Sequence, residues 1–256
     1  AMRSAAAETS AVAGVAFNYR FVPAIQYAKQ LIEDGALGTI QAVRGRYLQD
    51  WMVDPTVPWS WRTDKTRAGS GALADIGSHL VDLARFFAGE IRAVSGEKRT
   101  FIDERPVAGT DERRRVDVDD AVTVQARFES GASGVFEASR VSPGYKNGLS
   151  VTVEGAHGSL RFDLERLNEL QVCRHDTRGW ETILVTEETD PYLSAWWPPG
   201  HVLGWEHTFV HLYADFLRAV TVGGTPLVDF ASGRATQAVL DAISRSAESR
   251  EWTSPR

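Results

Sequence analysis

The sequence predicts an α+β fold: a largely antiparallel β-sheet with helices gathered on one face. Three observations predict it. Apolar residues recur at helical spacing in two early and two late segments. Between them, from residue 91 to 186, short apolar runs follow one another, punctuated by Gly, Asn, Asp and Pro. Helices, then many strands, then helices is the order of a segregated α+β architecture, not of alternating βαβ units.

Residues 3–10 read as the last turns of a helix, and Val12–Phe17 reads as a buried strand. A helix tail feeding a buried strand is half of an α/β unit whose partner strands are not in this chain, or else the terminal helix and edge strand of a complete domain. Pro23 opens a helix at the turn where proline is tolerated. Ala24, Tyr27, Ala28, Leu31 and Ile32 follow at helical spacing, and Gly35 caps it. Thr39 to Gln49 is an extended run. Residues 50–68 are polar and broken, hence a loop, but Trp51, Trp59 and Trp61 require it to pack against something. Leu73, Ile76, Leu80, Leu83, Ala84 and Phe87 define a second amphipathic helix ending near Gly89.

The strand runs are 91–101, 120–129, 133–141, 149–154, 158–163, 169–174 and 181–186, with hairpin signals at 129–131 and 155–158. Residues 103–116 are charged and aperiodic, which predicts a mobile loop. Residues 187–204, rich in Trp and Pro, form another loop. Glu206 to Val220 is helical, with Phe209, Leu212, Tyr213, Phe216 and Leu217 on one face, and Pro226–Asp229 is a turn. Ala231 to Ser249 is the last helix, with Ala235, Ala238, Val239, Ala242 and Ile243 inward.

Composition narrows the function classes. The chain has 256 residues, 43% hydrophobic and 24% charged, which excludes disorder and low complexity. A net charge of −6 with no basic run argues against nucleic-acid binding. One Cys excludes a disulfide framework and fits a reducing compartment, so a cytoplasmic location is expected. No apolar run approaches the roughly 18 residues that span a bilayer, so no membrane partner is expected. The first residues carry neither the positive nor the apolar region of a signal peptide.

Four places could carry chemistry. Gly69-Ser70-Gly71-Ala72-Leu73-Ala74 matches G-x-G-x-x-A and precedes a helix, but no strand precedes it, as a dinucleotide turn requires. A flexible helix entry with close backbone approach is the plainer reading. Asp75 and His79 are four apart and share a helix face, with Asp82 nearby. An Asp one turn from a His can set its tautomer and raise its basicity, which suits general-base work. A surface hydrogen bond, or a metal held by all three, are the other readings. Glu206, His207 and His211 resemble a zinc helix in spacing but not in order; His207 at a pocket mouth, among Trp196, Trp197, His201 and Trp205, is the alternative. Cys173 lies in an apolar strand run with no base to activate it. No metal is expected.

Several segments resemble the Gfo/Idh/MocA (glucose–fructose oxidoreductase / inositol dehydrogenase) family. They are Phe17-Asn18-Tyr19-Arg20 with Pro23, Gly35–Gly38, Tyr47-Leu48-Gln49-Asp50-Trp51, Ser60-Trp61-Arg62, Ala68 to His79, Val116–Asp120 and Gly155–Ser159. The detail is most similar to the levoglucosan dehydrogenase-like branch. The resemblance implies an open sheet, and a Rossmann domain ahead of it with the glycine-rich loop and a catalytic Lys. Residues 1–17 would then be the end of that domain, and 18–256 the substrate-binding and oligomerisation domain. It implies NAD or NADP as cofactor, a sugar or polyol as substrate, and hydride transfer from a secondary alcohol. His79 would be general acid/base and Asp75 its orienting or polarising partner. Trp61 and Arg62 would touch the cofactor, while Tyr19, Gln49, Trp51 and His207 would line the substrate pocket. The open sheet face implies a homodimer or homotetramer. This chain alone would be inactive. A non-catalytic module that binds a sugar or a partner is the alternative.

Overall fold

The computed structural model describes residues 2–9 and 11–255. Its centre is an eight-stranded mixed sheet. The strands are β1 (Ile40–Leu48), β2 (Ile91–Arg99), β5 (Ala121–Phe128), β6 (Ser133–Ser139), β7 (Gly148–Gly155), β8 (Gly158–Asp163), β9 (Glu169–Arg174) and β10 (Glu181–Leu184), with β3 (Glu104–Pro106) and β4 (Arg113–Arg115) forming a separate ribbon. The spatial order is β10-β9-β8-β7-β1-β6-β5-β2. Every pairing in it is antiparallel except that of β1 with β6. The early strand β1 is thus slotted into the middle of the later meander.

Side-chain alternation explains why one face is covered. In β5, Val122, Val124, Ala126 and Phe128 are buried, and Thr123, Gln125 and Arg127 are exposed. Val43 and Tyr47 of β1 and Leu149, Val151 and Val153 of β7 continue the buried face. Against it lie α2 (Pro23–Glu33), α4 (Ser78–Ala88) and α6 (Phe230–Ser249). Gly45 lets α4 come close, because a Cβ there would stand 3.0 Å from Leu80 Cδ2. Two further helices are α1 (Met2–Ala7) and α3 (Lys65–Ala68). The last, α5 (His207–Val222), packs on the 3₁₀ turn Asn18–Phe21. No described helix is long and apolar enough to cross a membrane.

Three expectations are corrected. Val12–Phe17 is not a buried strand: its residues are part-exposed or exposed, and only Gly14 forms a bridge, to Asp229. Residues 103–116 are not a loose loop. Arg105 is fully buried and donates to the carbonyl oxygens of Met52 (2.6 Å) and Asp54 (2.9 Å), so β3 and β4 are pinned over residues 50–57. Finally, Tyr213 and Leu217 point outward, because α5 meets the Asn18–Phe21 turn through Thr208, His211 and Leu212.

That turn is held by a buried ion pair. Arg20 Nε and Nη2 donate to the two oxygens of Asp82 at 2.7 and 2.6 Å, and Nη2 also reaches Ser232 Oγ at 3.0 Å. Breaking one side of such a pair strands the other charge without water. Asp82→Ala is therefore expected to cost about 3–5 kcal/mol in urea unfolding. A loss below about 1 kcal/mol, the size of a surface pair, would show that the clamp is not needed.

Candidate active site

A cleft of about 660 Å³ opens where β1 ends and the long α4 segment begins. The segment begins unusually. Asp119 accepts from Gly71 N (2.9 Å) and Leu73 N (2.8 Å) with its carboxylate, and from Ala72 N (2.9 Å) with its backbone oxygen. These are the donors that a helix start leaves open. Gly71 is required, since a Cβ there would lie 1.8 Å from Asp119 O. Gly71 therefore serves close backbone approach, whereas Gly69, with nothing within 4 Å of a would-be Cβ, ends α3 at a positive φ of +77°. A carboxylate already fills the place where a dinucleotide phosphate would sit at a helix start.

The first helical turn, Leu73–Gly77, is a π turn. Its i→i+5 ladder rotates Asp75 off the position one α turn beneath His79. Both residues line the cleft, but no hydrogen bond joins them. Asp75 Oδ2 instead faces Arg140 Nη1 at 3.4 Å. Arg140 is buried, also donates to Asp119 O (3.2 Å), and has its guanidinium carbon 5.7 Å from the Trp51 ring.

His79 sits in an aromatic box. Its ring centroid lies 4.7 Å from Tyr19, 5.6 Å from Phe17 and 6.2 Å from Tyr47. Its Nδ1 is buried with no hydrogen-bond partner. Burial pushes its pKa down to about 4, because the rings cannot solvate an imidazolium. The imidazole is therefore neutral at pH 7 and keeps a lone pair able to take a proton.

The cleft wall is a chain of hydrogen bonds. Trp205 Nε1 donates to Tyr19 Oη (3.4 Å), the Tyr19 and Tyr47 hydroxyls meet at 2.7 Å, and Tyr47 donates to Asn147 Oδ1 (2.6 Å). From the other side Trp51 Nε1 donates to Gln49 Oε1 (2.9 Å), and Gln49 Nε2 to the same Asn147 oxygen (2.9 Å). Burial raises the Tyr47 pKa well above its ordinary value, so its proton stays on.

Of the residues expected at a site, Tyr19, Gln49, Trp51, Arg62, Asp75 and His79 line this cleft. Trp61 does not; it is exposed and stacks with Arg62, whose guanidinium carbon lies 4.5 Å from its ring centre. His207 also lies outside, with Nδ1 accepting from Gly204 N (3.1 Å) and Trp196 packed edge-on against its ring; Trp205 takes its place. The zinc-like spacing has another use. His211 is buried, with Nε2 accepting from Trp196 (2.7 Å) and Nδ1 on Phe21 O (2.9 Å). Asp82 belongs to Arg20, away from Asp75. Among the described residues no three His, Cys, Asp or Glu side chains group as metal ligands. Cys173 lies on β9, half-buried. Sequence reasoning missed Tyr47, Asn147, Arg140 and Asp119 as parts of the site. Only Tyr47 left a signal, since it shares the inward register of Val43 and Gly45.

Several known proteins are similar to this chain. Residues 25–161 match the GFO/IDH/MocA C-terminal domain. The chain is 40% identical to levoglucosan dehydrogenase of Pseudarthrobacter phenanthrenivorans, over 98% of this chain and 69% of that protein. It is 34% identical to the scyllo-inositol 2-dehydrogenase (NAD(+)) of Bacillus subtilis, over 60% of this chain and 40% of that one. Among solved structures, an oxidoreductase domain protein from Kribbella flavida superposes with a TM-score of 0.94 at 45% identity, covering 99% of this chain and 69% of that one. Levoglucosan dehydrogenase in complex with NADH and L-sorbose superposes with a TM-score of 0.94 at 40% identity, covering 100% and 69%.

The dry box around His79 has a direct readout. Its imidazole C2–H resonance should stay at the neutral position from pH 8 to about 5.5 and move only towards pH 4. The unfolded chain binds the proton near pH 6.5, so this residue makes stability fall as pH drops from about 6.5 towards 4. A midpoint near 6.5 in the folded chain would show an imidazole open to water.

Proposed function

The chain belongs to the GFO/IDH/MocA family, and from that premise we propose that it carries the substrate side of the active site of an NAD- or NADP-dependent sugar or polyol dehydrogenase. The observation that carries the reading is His79: a neutral imidazole in an aromatic box, facing a cleft walled by hydroxyl, amide and indole groups. Aromatic faces with a few placed polar groups suit a ring that is apolar on its faces and hydroxylated at its edge.

A secondary alcohol in the cleft gives up a proton and a hydride on becoming a ketone. The nicotinamide, when bound, supplies the hydride acceptor. His79 takes the alcohol proton, or returns it in the reducing direction. Asp75, held by Arg140, offers its carboxylate to a neighbouring hydroxyl or polarises the imidazole across the cleft. The residues present fit a cofactor from one side only. Arg62 lines the cleft mouth and presents its guanidinium for a phosphate or ribose, with Trp61 stacked on it. The filled helix start at Asp119 leaves no described turn for the dinucleotide phosphates. We therefore assign the dinucleotide chiefly to a domain outside residues 18–256, supported by the 69% of levoglucosan dehydrogenase that the chain spans.

The sheet face opposite the helices carries Arg44, Arg46, Glu137, Arg161 and the half-exposed Val135, with no described helix over them. We assign it to self-association into a dimer or tetramer. Val135→Glu should then shift the chain to monomer in light scattering, and a wild-type chain that is already monomeric would reject the assignment.

The function is tested in a protein extended to the length of its relatives, with levoglucosan and NAD⁺ or NADP⁺. His79→Ala should lower turnover about 10²–10⁴-fold with the circular dichroism spectrum unchanged, and Arg62→Ala should weaken NADH binding more than sugar binding. Full turnover by His79→Ala would reject the acid/base role.

A further inference from the structure

We propose that Asn147 sets the substrate polarity of the cleft: its Oδ1 is the single acceptor on which the wall's hydrogen bonds converge, and its Nδ2 is the donor that meets an oxygen of the bound sugar. The inference rests on the cleft being a sugar site.

The direction of each bond follows from donor chemistry. An indole N–H only donates. Trp51 Nε1 therefore fixes Oε1 of Gln49 on its own side. That turns Gln49 Nε2, which only donates, towards Asn147, so Asn147 must present its oxygen there. Tyr47 also meets that oxygen and must donate to it. A phenol has one proton, so in the Tyr19–Tyr47 contact Tyr19 is the donor. Trp205, again donor-only, closes the far end on the Tyr19 oxygen. The wall has one proton order, running from both indoles into Asn147 Oδ1.

The valences left for a ligand follow. The Tyr19 proton is spent on Tyr47, so towards the cleft Tyr19 can only accept, and it takes a sugar hydroxyl as a donor. Asn147 Nδ2 hydrogen-bonds to no described protein atom, and the residue lines the cleft. It is a donor without a partner, and it calls for an oxygen acceptor such as a ring or bridging ether or a hydroxyl. A ligand donor placed against Asn147, or an ether placed against Tyr19, would leave a desolvated group unpaired. Asn147 is placed for this by its position just ahead of β7, beside the end of β1 that carries Tyr47 and leads into Gln49.

Two variants separate the acceptor from the donor. Asn147→Asp keeps an oxygen for Tyr47 and Gln49 but loses the Nδ2 donor; Asn147→Leu loses both. The chain holds eight Trp residues, and with ¹⁵N-Trp labelling the indole signals of Trp51 and Trp205 report the wall without any ligand. They should hold their positions in Asn147→Asp and move in Asn147→Leu. Levoglucosan, titrated while these signals are followed, should bind wild type and bind Asn147→Asp at least about tenfold more weakly, equivalent to about 1.4 kcal/mol. Equal binding by wild type and Asn147→Asp, with the indole signals in place, would overturn the donor role and leave the sugar-site reading standing. Indole signals unmoved in Asn147→Leu would overturn the acceptor role. No shift with levoglucosan in wild type would overturn the sugar-site reading, and this inference with it.

Discussion

The site depends on one close approach. The segment leading into α4 can start against the residues just ahead of β5 only because Gly71 has no side chain to strike Asp119. Once it is there, three amide protons that would otherwise need water are satisfied by one residue. The same Asp119 carbonyl receives Arg140, which reaches on to Asp75. The carboxylate that lines the cleft is therefore positioned by the same contact that starts the helix. A change at Gly71 would move Asp75 and His79 together, and the cap and the site are mechanically one object.

A second constraint is dielectric. His79 is surrounded by Phe17, Tyr19 and Tyr47, which cost it the charged state. Two of those rings reach the box from the Asn18–Phe21 turn and β1, elements far apart in sequence. The Arg20–Asp82 clamp fastens the turn to α4, so the ring that dries His79 is tied to the helix that bears it. Tyr19 thus has two tasks, an apolar face against the imidazole and a hydroxyl in the wall. Its neighbour Asn18 is spent on Thr208 of α5 (2.8 Å), which seats that helix on the turn.

Much of this was legible beforehand because it is local. Helical spacing located α2, α4 and α6, and alternation with turn residues located the strands after residue 91. The Asp75–His79 spacing put both side chains in one cleft. What was illegible is long-range. Nothing in residues 39–49 says that they pair with residues 133–139 and 148–155 at the centre of the sheet. Arg105 looks like surface charge until three distant carbonyls around residues 52–57 are seen to receive it. The outward turn of Tyr213 and Leu217 follows from which side of α5 the Asn18–Phe21 turn occupies, and an all-round apolar helix does not declare its buried face. The i,i+4 rule also presumed an α turn, so it put both side chains at one cleft but implied a contact that is not made; past the π turn Asp75 faces Arg140.

The two faces of the sheet divide the work. On the helix face, apolar alternation from β1, β5, β6 and β7 builds a dry core that holds α4 in place. At the end of β1 that core gives way to Tyr47, Gln49 and Trp51, residues with an apolar body and a polar tip. Polar atoms at such a boundary must be paired before a ligand arrives, or the empty cleft would be a set of unsatisfied donors. The wall pairs them internally and leaves a small, ordered remainder. Under the proposed function, a cleft built this way would select a neutral polyhydroxylated ring by where its donors and acceptors fall. Of the charges at the cleft, Asp75 faces Arg140 at 3.4 Å, while Arg62 stands at the mouth stacked on Trp61. The place of the Asp75 carboxylate at the cleft is then a consequence of how the helix is capped, since Arg140 reaches both the capping Asp119 and Asp75.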